Sequence, residues 1–382
     1  MWYFSHEEKE LQSVCRKFAQ TELAPFAEKH DTEETFNLNA FRKMGEIGVL
    51  GITADPEYGG AGMGCLAATL VMEEFGKACA SSTLSYLAHS ILCVNNIQNN
   101  ASKEQKEKYL PKLIAGEWVG CMGMSEPEYG SDAVGIQTRA KKSGDHYVIN
   151  GTKMWITNAQ YADIAYVYTR TGDERKNLST FILDKHQGHF KVGKPIHKMG
   201  MRASPTGELI FDNAKVPSSQ LVGKEGDSIY HMMKNLDIER ITISGISLGI
   251  AQACLDQSIK YAGERKQFGK NLAHYQMIQK MIAEMAAETE MMRNFLYNVA
   301  YRYDQGERGP VTAAMIKLQL PKMATKIALD AIQLHGGYGY SREFPVERMM
   351  RDNKLNEIGA GTNEVMIMII AKNLLEKALK EN

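Results

Sequence analysis

The stretch HYVINGTKMWIT, residues 146–157, alternates β-branched and aromatic residues with polar ones and decides how the centre of this chain folds. Runs of similar composition follow it: ADIAYVYTRT (162–171), LSTFILD (178–184), KVGKPI (191–196) and GELIFDNAKVP (207–217). Gly, Asn, Asp and Pro bound these runs, which is typical of strands joined by turns. We therefore predict a compact antiparallel β-sandwich or barrel over residues 121–226.

Outward from this centre, both flanks change to a helical pattern. The run HEEKELQSVCRKFAQTELAPFAEKHD (6–31) begins the N-terminal flank, and apolar residues recur at helical spacing near 227–264, 272–304, 311–335 and 345–378. Pro321 is expected to kink its helix or to remove one hydrogen bond. The fold class predicted is α+β multidomain: an N-terminal all-α domain (1–120), a middle β domain (121–226) and a C-terminal four-helix bundle domain (227–382).

Composition narrows the function. The 382 residues include 45 Lys+Arg and 45 Asp+Glu, and this neutral balance argues against a nucleic-acid binder or a polybasic membrane binder. Six cysteines without CxxC or metal-ligand spacing are expected to be reduced thiols, which predicts no metal site. We find neither a targeting signal nor a membrane span, so we expect a cytoplasmic protein or, in a matured form, one of the mitochondrial matrix.

Five short strings then identify a family resemblance. MSEPEYGSD (124–132), KMWITNA (153–159), ERKQFGK (264–270), IQLHGGYGY (332–340) and EIGAGTNE (357–364) occur in the order seen in flavin-dependent acyl-CoA dehydrogenases. Each string alone is weak, whereas five in order are specific. The chain most resembles the isovaleryl-CoA dehydrogenase branch, because of SYLAHSILCVN (85–95), LDIER (236–240) and EIGAGT (357–362).

The resemblance implies a reaction and its partners. The expected activity is FAD-dependent α,β-dehydrogenation of an acyl-CoA, with electrons passed to an electron-transfer flavoprotein and a homotetramer built as a dimer of dimers. Two alternatives stay open. The same scaffold serves an oxidase that reacts with oxygen, or a non-catalytic protein that binds acyl-CoA or flavin after losing its base.

The resemblance also implies the residues that hold FAD. Trp155 covers a flavin face by stacking, and Thr157 steadies the reduced flavin. An arginine fork suits a diphosphate, and paired glycines allow close approach of the backbone, although Gly336 is also explained as a helix C-cap. The implied cofactor-binding residues are Met124, Ser125, Ser131, Trp155, Thr157, Arg265, Gln267, Phe268, Gln333, Gly336, Gly337, Thr362 and Glu364.

The catalytic base is where this sequence departs from the commonest family pattern. Many relatives carry a glutamate directly before the Gly-Thr of the C-terminal loop, where this chain has Ala360. The branch it resembles places the base within a string matching LDIER, which implies Glu239. A buried carboxylate there gains basicity, whereas the ordinary alternative is a solvated glutamate paired with Lys or Arg. The backbone N–H of Ala360 remains available to the thioester carbonyl.

The substrate residues follow from the same resemblance. Arg240 and Asp237 match positions that meet CoA, and Gly359 with Ala360 leaves room for a branched or bulky acyl group. Tyr129 stands where relatives have a small residue, which narrows or re-aims the pocket. The expected substrate-binding residues are Ser131, Asp237, Arg240, Gly359, Gly361 and Cys93, and Ser131 has the alternative of a turn residue without a ligand.

Overall fold

The computed structural model describes residues 4–381, so residues 1–3 and 382, which the predicted terminal domains included, lie outside the described residues. Its N-terminal region is helical. Helix α1 begins where Ser5 and Glu8 form a reciprocal capping box. The helices of this region are α1 (His6–Phe18), α2 (Ala27–Glu33), α3 (Leu38–Glu46), α4 (Cys65–Ala78), α5 (Ala80–His89), α6 (Asn95–Asn100) and α7 (Lys103–Ile114).

The middle region is a β-sheet. Its strands are β1 (Gly120–Gly123), β2 (Arg139–Ser143), β3 (His146–Thr157), β4 (Ile164–Arg170), β5 (Leu178–Asp184), β6 (Lys191–Val192), β7 (Thr206–Pro217) and β8 (Leu221–Val222). They follow the order β6-β7-β3-β2-β4-β5-β8, and β1 also pairs with β4. The stretch that opened the sequence analysis is β3, and it pairs antiparallel with both β2 and β7.

The central β-sheet expected here is confirmed, although an antiparallel sandwich or barrel describes it only loosely. The β1–β4 pair is parallel, and β2 meets β4 in parallel at Arg139 and Arg170, so the sheet is mixed. Among residues 4–381 the sheet does not close, because the short strands β6 and β8 stand at opposite ends of the strand order. Strand propensity located β3 to β7 but missed β1, β2 and β8. The pairing of the strands depends on contacts distant in sequence, such as Gly120 with Ile164.

The C-terminal region is a helical bundle. Its elements are α8 (Ser228–Glu264), β9 (Lys266–Gln267), β10 (Lys270–Asn271), α9 (Gln276–Asp304), α10 (Pro310–His335), α11 (Gly337–Tyr340), α12 (Val346–Asn356) and α13 (Asn363–Glu381). Pro321 lies inside the uninterrupted α10. The fourth predicted segment, 345–378, is broken in two, because Ala360 and Gly361 have left-handed backbone angles φ of 57° and 90°.

Helix α8 lies at the centre of the molecule, between α4 and α10. Two glycines let it approach α4: a Cβ added at Gly249 would lie 2.5 Å from the carbonyl oxygen of Glu73, and one at Gly245 would lie 2.8 Å from the Cβ of Met72. In the part of the chain that the structure describes, α8 alone has the length and hydropathy of a membrane-crossing helix, and 94% of that window is buried inside the protein. This close packing fixes the position of α8 against α4 in the protein interior.

Candidate active site

Glu239 lies in the middle of α8 with only 6% of its surface exposed. Among residues 4–381 its Oε2 atom has no hydrogen-bond partner. Burial raises the pKa of this carboxyl to about 7, and the positive charges of Arg240 and Lys317 oppose the shift. A buried carboxylate with a free oxygen and a pKa near neutrality is suited to accept a proton.

Lys317 on α10 is a residue that sequence reasoning missed. Its side chain is fully buried, and its Nζ donates a hydrogen bond to the carbonyl oxygen of Gly361. Burial lowers the pKa of Lys317 to about 8, while the negative charge of Glu239 works in the opposite direction. The only signal in the sequence is one lysine within the apolar run AAMIKLQLP (313–321). Lys317 therefore donates to the loop that follows α12, and its positive charge acts on Glu239.

This loop, residues 357–362, carries the other predicted catalytic position. Ala360 is partly buried, and among residues 4–381 its N–H donates to no backbone or side-chain acceptor. Glu357, in contrast, has its carboxylate engaged: it accepts from Thr325 Oγ1 at 2.5 Å and from Lys354 Nζ at 2.9 Å. Burial raises the pKa of Glu357, but these hydrogen bonds outweigh it and the pKa is lowered. Glu357 is thus a structural residue of the loop.

The remaining predicted residues of this region surround the same loop and α8. Gly359 and Gly361 are partly buried, and Arg240 is buried with its Nη1 donating to Asp237 Oδ1 at 3.1 Å. Burial raises the pKa of Asp237 although Arg240 opposes this. Thr362 Oγ1 accepts from the N–H of Val365 and so caps the start of α13. Thr362 therefore has a structural role beside the predicted one.

The β-sheet presents a second group of predicted residues. Trp155 lies at an irregularity in the β3–β7 register, with a left-handed φ of 64° and 58% of its surface exposed. This conformation turns a large indole outward at a cost, which indicates a functional constraint. The carbonyl oxygen of Ser125 accepts from the N–H of Met154 at 2.9 Å, which ties the 124–132 loop to β3. Thr157, at the end of β3, is partly buried.

A buried ion pair holds this loop, and sequence reasoning missed it. Lys153 Nζ donates to Glu126 Oε1 at 2.8 Å and to the carbonyl oxygen of Met124 at 3.0 Å. The Glu126 carboxylate also accepts the backbone N–H groups of Gln137 and Thr138. The bond to Met124 and the ion pair at Glu126 hold the loop on both sides of the predicted flavin-contacting residue Ser125. The signal in the sequence was a lysine at an inward position of a strand.

A third group lines a separate cleft of about 560 Å³. Arg265, Gln267, Gly336 and Gly337 line it together with Tyr338, over whose ring the Arg265 guanidinium lies at 5.5 Å. Phe268 projects from the neighbouring hairpin with 94% of its surface exposed, and Gln333 is exposed near the end of α10. Gly336, at φ 61°, caps α10, as its alternative interpretation had it. The lining includes none of the predicted sheet residues, so this cleft and Trp155 are distinct surfaces.

These surfaces fit the chemistry of FAD. An exposed indole offers a stacking face to an isoalloxazine, and a guanidinium beside open glycine backbone suits a diphosphate. A Cβ at Gly336 or Gly337 would meet no atom within 4 Å, so the cleft is open at these positions. The residues present are therefore compatible with the cofactor that the resemblance implies.

The other predicted residues lie apart from these groups or in the core. Cys93 is buried among apolar side chains that include Tyr168 and Leu236, and burial raises the pKa of its thiol to about 12. Tyr129 packs partly buried against the same core cluster. Ser131 and Glu364 are exposed. Ser131 thus contributes no buried contact, which leaves its turn interpretation open.

Comparison with known families matches nearly the whole chain. Residues 5–117, 121–214 and 226–375 match the N-terminal, middle and C-terminal domain models of acyl-CoA dehydrogenase. The chain is 43% identical over 374 residues to the mitochondrial isovaleryl-CoA dehydrogenase of Pongo abelii, which covers 96% of this chain and 88% of that protein.

Solved structures give the same result. The butyryl-CoA dehydrogenase from Megasphaera elsdenii superposes with a TM-score of 0.95 at 35% identity, covering 98% of this chain and 100% of that one. An FAD complex of PigA superposes with a TM-score of 0.94 at 28% identity, covering 98% and 99%. The similarity therefore extends over all three regions of the fold.

Proposed function

The chain belongs to the acyl-CoA dehydrogenase family of flavoprotein oxidoreductases, and on that premise we propose that it is an FAD-dependent dehydrogenase of a branched or bulky short- or medium-chain acyl-CoA. The product would be the 2-enoyl-CoA. FAD, when bound, supplies the acceptor for the hydride that leaves the β-carbon. The steps that fall to this chain are removal of the α-proton, polarisation of the thioester carbonyl and alignment of the acyl group.

The observation that carries the proposal is the free oxygen of Glu239. Its carboxylate is buried, has a pKa near 7 and leaves Oε2 without a partner among the described residues. The competing carboxylate of Glu357 is engaged by Thr325 and Lys354. Glu239 would accept the α-proton, since a base works best when its pKa lies near the working pH.

The loop after α12 would polarise the thioester. The N–H of Ala360 has no acceptor among the described residues, and the hydrogen bond from Lys317 holds the carbonyl of Gly361, the next residue in the loop. A donor fixed before the reaction stabilises the negative charge that grows on the thioester oxygen as the α-proton leaves. We assign this role to the backbone of Ala360, because it needs no side chain.

Cofactor contacts would come from both exposed surfaces. Trp155 would stack on the flavin, and Arg265 with the backbone at Gly336 and Gly337 would hold the pyrophosphate. Because the cleft and Trp155 are distinct surfaces, this division is compatible with a cofactor shared between subunits.

Assembly and electron transfer belong to the proposal as well. A homotetramer, a dimer of dimers, is supported by the large apolar side chains that α13 exposes, namely Ile367, Met368, Leu374, Leu375 and Leu379. An electron-transfer flavoprotein is the proposed acceptor. Anaerobic turnover with a ferricenium dye, compared with release of peroxide in air, separates this dehydrogenase from the alternative of an oxidase.

The main experiment is a panel of acyl-CoAs, isovaleryl-CoA among them, mixed anaerobically with the purified holoprotein while loss of flavin absorbance is followed. The variant E239Q should slow this bleaching by about 10²–10⁴-fold while acyl-CoA binding persists. E357Q is the matched control and should bleach within a few-fold of the parent. Bleaching at the parental rate by E239Q would overturn the assignment of the base, and no bleaching by any acyl-CoA would favour a non-catalytic binding protein.

A further inference from the structure

A relay of three asparagines runs from the protein surface to the buried side of α8. Asn99 Nδ2 donates to the backbone carbonyl oxygen of Asn95 at 2.7 Å and to its Oδ1 at 3.0 Å. Asn95 Nδ2 in turn donates to Asn235 Oδ1 at 3.2 Å. Asn95 and Asn235 are both buried, so the relay ends inside the protein.

The direction of the relay is fixed by its first bond. A backbone carbonyl can only accept, so the Asn99 atom that faces it must be the amide nitrogen. That nitrogen also meets the Asn95 side chain, which must therefore offer its oxygen and turn its own nitrogen toward Asn235. Asn235 is left with Nδ2, which has no partner among the described residues. A buried donor left unsatisfied lowers stability, because its hydrogen bond to water has been lost without replacement.

This donor lies beside the proposed base. Asn235 precedes Glu239 by four residues on α8, so the two side chains share one face of the helix a single turn apart. A second buried polar group, a tyrosine hydroxyl, lies in the same part of the protein. The Tyr168 hydroxyl on β4 is fully buried and has no partner within residues 4–381, and burial followed by the charges of Tyr166 and Glu239 raises its pKa. Asn235 thus lies one turn from Glu239 on α8, and Tyr168 lies within range of the Glu239 charge.

The side chains around these groups are mostly apolar. Tyr168 belongs to the core cluster that holds Cys93 and Met232, and Leu236 and Tyr129 pack against it. Cys93 and Tyr129 are residues that the sequence analysis assigned to the acyl pocket. If the bound acyl group were a pure hydrocarbon, the Asn235 amide and the Tyr168 hydroxyl would stay buried without hydrogen bonds from the substrate, which is unfavourable.

We propose that the acyl group of the substrate carries a neutral oxygen, a hydroxyl or a carbonyl, on a carbon beyond C3. This inference rests on the proposed function. Asn235 Nδ2 donates to that oxygen, and Tyr168 OH completes its hydrogen bonding. One helical turn, about 5.4 Å, separates Asn235 from the residue that faces C2, a separation that an oxygen on C2 or C3 would not span. A distal carboxylate is disfavoured because it would stand near the negative charge of Glu239.

Binding to the E239Q holoprotein tests the proposal without turnover. Hexanoyl-CoA, 5-hydroxyhexanoyl-CoA and 5-oxohexanoyl-CoA are titrated while the change in the flavin spectrum is followed. At least one oxygenated probe should bind about tenfold more tightly than hexanoyl-CoA, the ratio that one satisfied buried donor provides. Adding N235L, which removes the amide at similar size, should abolish or reverse that preference.

Two tyrosine variants supply a second, milder measurement. Y168F in the same background should weaken binding of the preferred oxygenated probe several-fold and leave hexanoyl-CoA unchanged. Y166F is its matched control, since Tyr166 lies two residues away on β4 with its hydroxyl accepting from Asn100 at 3.5 Å. Y166F should leave the ratio of the two affinities as it was.

The outcomes distinguish a failure of this inference from a failure of the proposed function. Hexanoyl-CoA binding as tightly as both oxygenated probes, or an unchanged ratio in both N235L and Y168F, overturns the inference and leaves the free donor to an ordered water. If no acyl-CoA perturbs the flavin spectrum, the proposed function fails first and the assigned oxygen site falls with it.

Discussion

Two buried glutamates with a lysine nearby behave in opposite ways in this molecule. Glu126, in the loop before β2, accepts hydrogen bonds from Lys153 and from the backbone of Gln137 and Thr138. Burial alone would raise the pKa of Glu126, but Lys153 and these donors outweigh it and lower the pKa. Glu239, on α8, has one oxygen without a partner in the described part of the chain, and burial raises its pKa to about 7.

The difference teaches that the donors around a buried carboxylate, and not its burial, decide its role. Lys153 gives its hydrogen bonds to Glu126 and Met124, whereas the nearby lysine of the other region, Lys317, gives its hydrogen bond to Gly361. Glu126 is therefore held as an ion and organises a loop. Glu239 is left able to exchange a proton, which is the property a base needs.

The largest expected effect comes from breaking the satisfied pair. K153M leaves the Glu126 carboxylate buried without its counter-charge, which should lower the free energy of unfolding by about 3–5 kcal/mol. Chemical denaturation of the holoprotein measures it, with the flavin retained after gel filtration as a second readout. The double variant E126Q/K153M removes both charges and should recover part of the loss. A loss below about 1 kcal/mol in K153M would mean that the pair does not organise the loop.

A smaller effect is expected when Lys317, the lysine near Glu239, is replaced. The rate of flavin bleaching should rise with pH through about 7, because Glu239 must be ionised to accept a proton. The positive charge of Lys317 lowers the pKa of Glu239, so K317M should move the midpoint of the profile to higher pH. At pH 7 the rate should fall several-fold, and at higher pH the difference should narrow to the part caused by the lost hydrogen bond to Gly361.

The control for this prediction is K322M, which removes an exposed lysine from the same helix and should leave the midpoint in place. A uniform loss of rate at every pH in K317M would show that Lys317 acts only through the hydrogen bond to Gly361. An unchanged profile would contradict the proximity of its charge to the base.

The smallest effect concerns a satisfied group of another type. His89 is fully buried, accepts the N–H of Gly120 at Nδ1 and lies 3.1 Å from the carbonyl oxygen of Leu113 at Nε2. Burial lowers its pKa from 6.5 to about 3. Below pH 6.5 His89 binds a proton in the unfolded chain but stays neutral in the folded chain. The stability that His89 contributes above pH 6.5 is therefore lost as the pH falls toward 3.

Between pH 7.5 and 5.5 this loss amounts to about 1 kcal/mol from His89 alone. Urea denaturation at the two pH values measures it. His189, His231 and His335 also have lowered pKa values and act in the same direction. The readout is therefore the change in the free energy of unfolding with pH in H89Q, compared with the same change in the parent. Equal slopes would show that His89 does not remain neutral in the folded protein.

Much of the architecture was predictable from local pattern. The helix–sheet–helix order and the strand β3 followed from spacing and composition, and the family resemblance was confirmed by matches along nearly the full chain. The antiparallel sandwich or barrel described the sheet only loosely, because the sheet is mixed and open, and the helical segment 345–378 is divided into α12 and α13. Both differences concern features set by distant contacts or by two residues with left-handed backbone.

The sequence by itself determined the helical flanks and the strands β3 to β7, and the family resemblance implied Glu239 as the base where Ala360 lacks a carboxyl. Only the tertiary structure decided which polar groups stay unsatisfied: the free oxygen of Glu239, the free N–H of Asn235 and the engaged carboxylate of Glu357. Periodicity depends on neighbours along one chain. Hydrogen-bond satisfaction depends on donors from elements far apart, such as Lys317 reaching Gly361, and these meet only after folding.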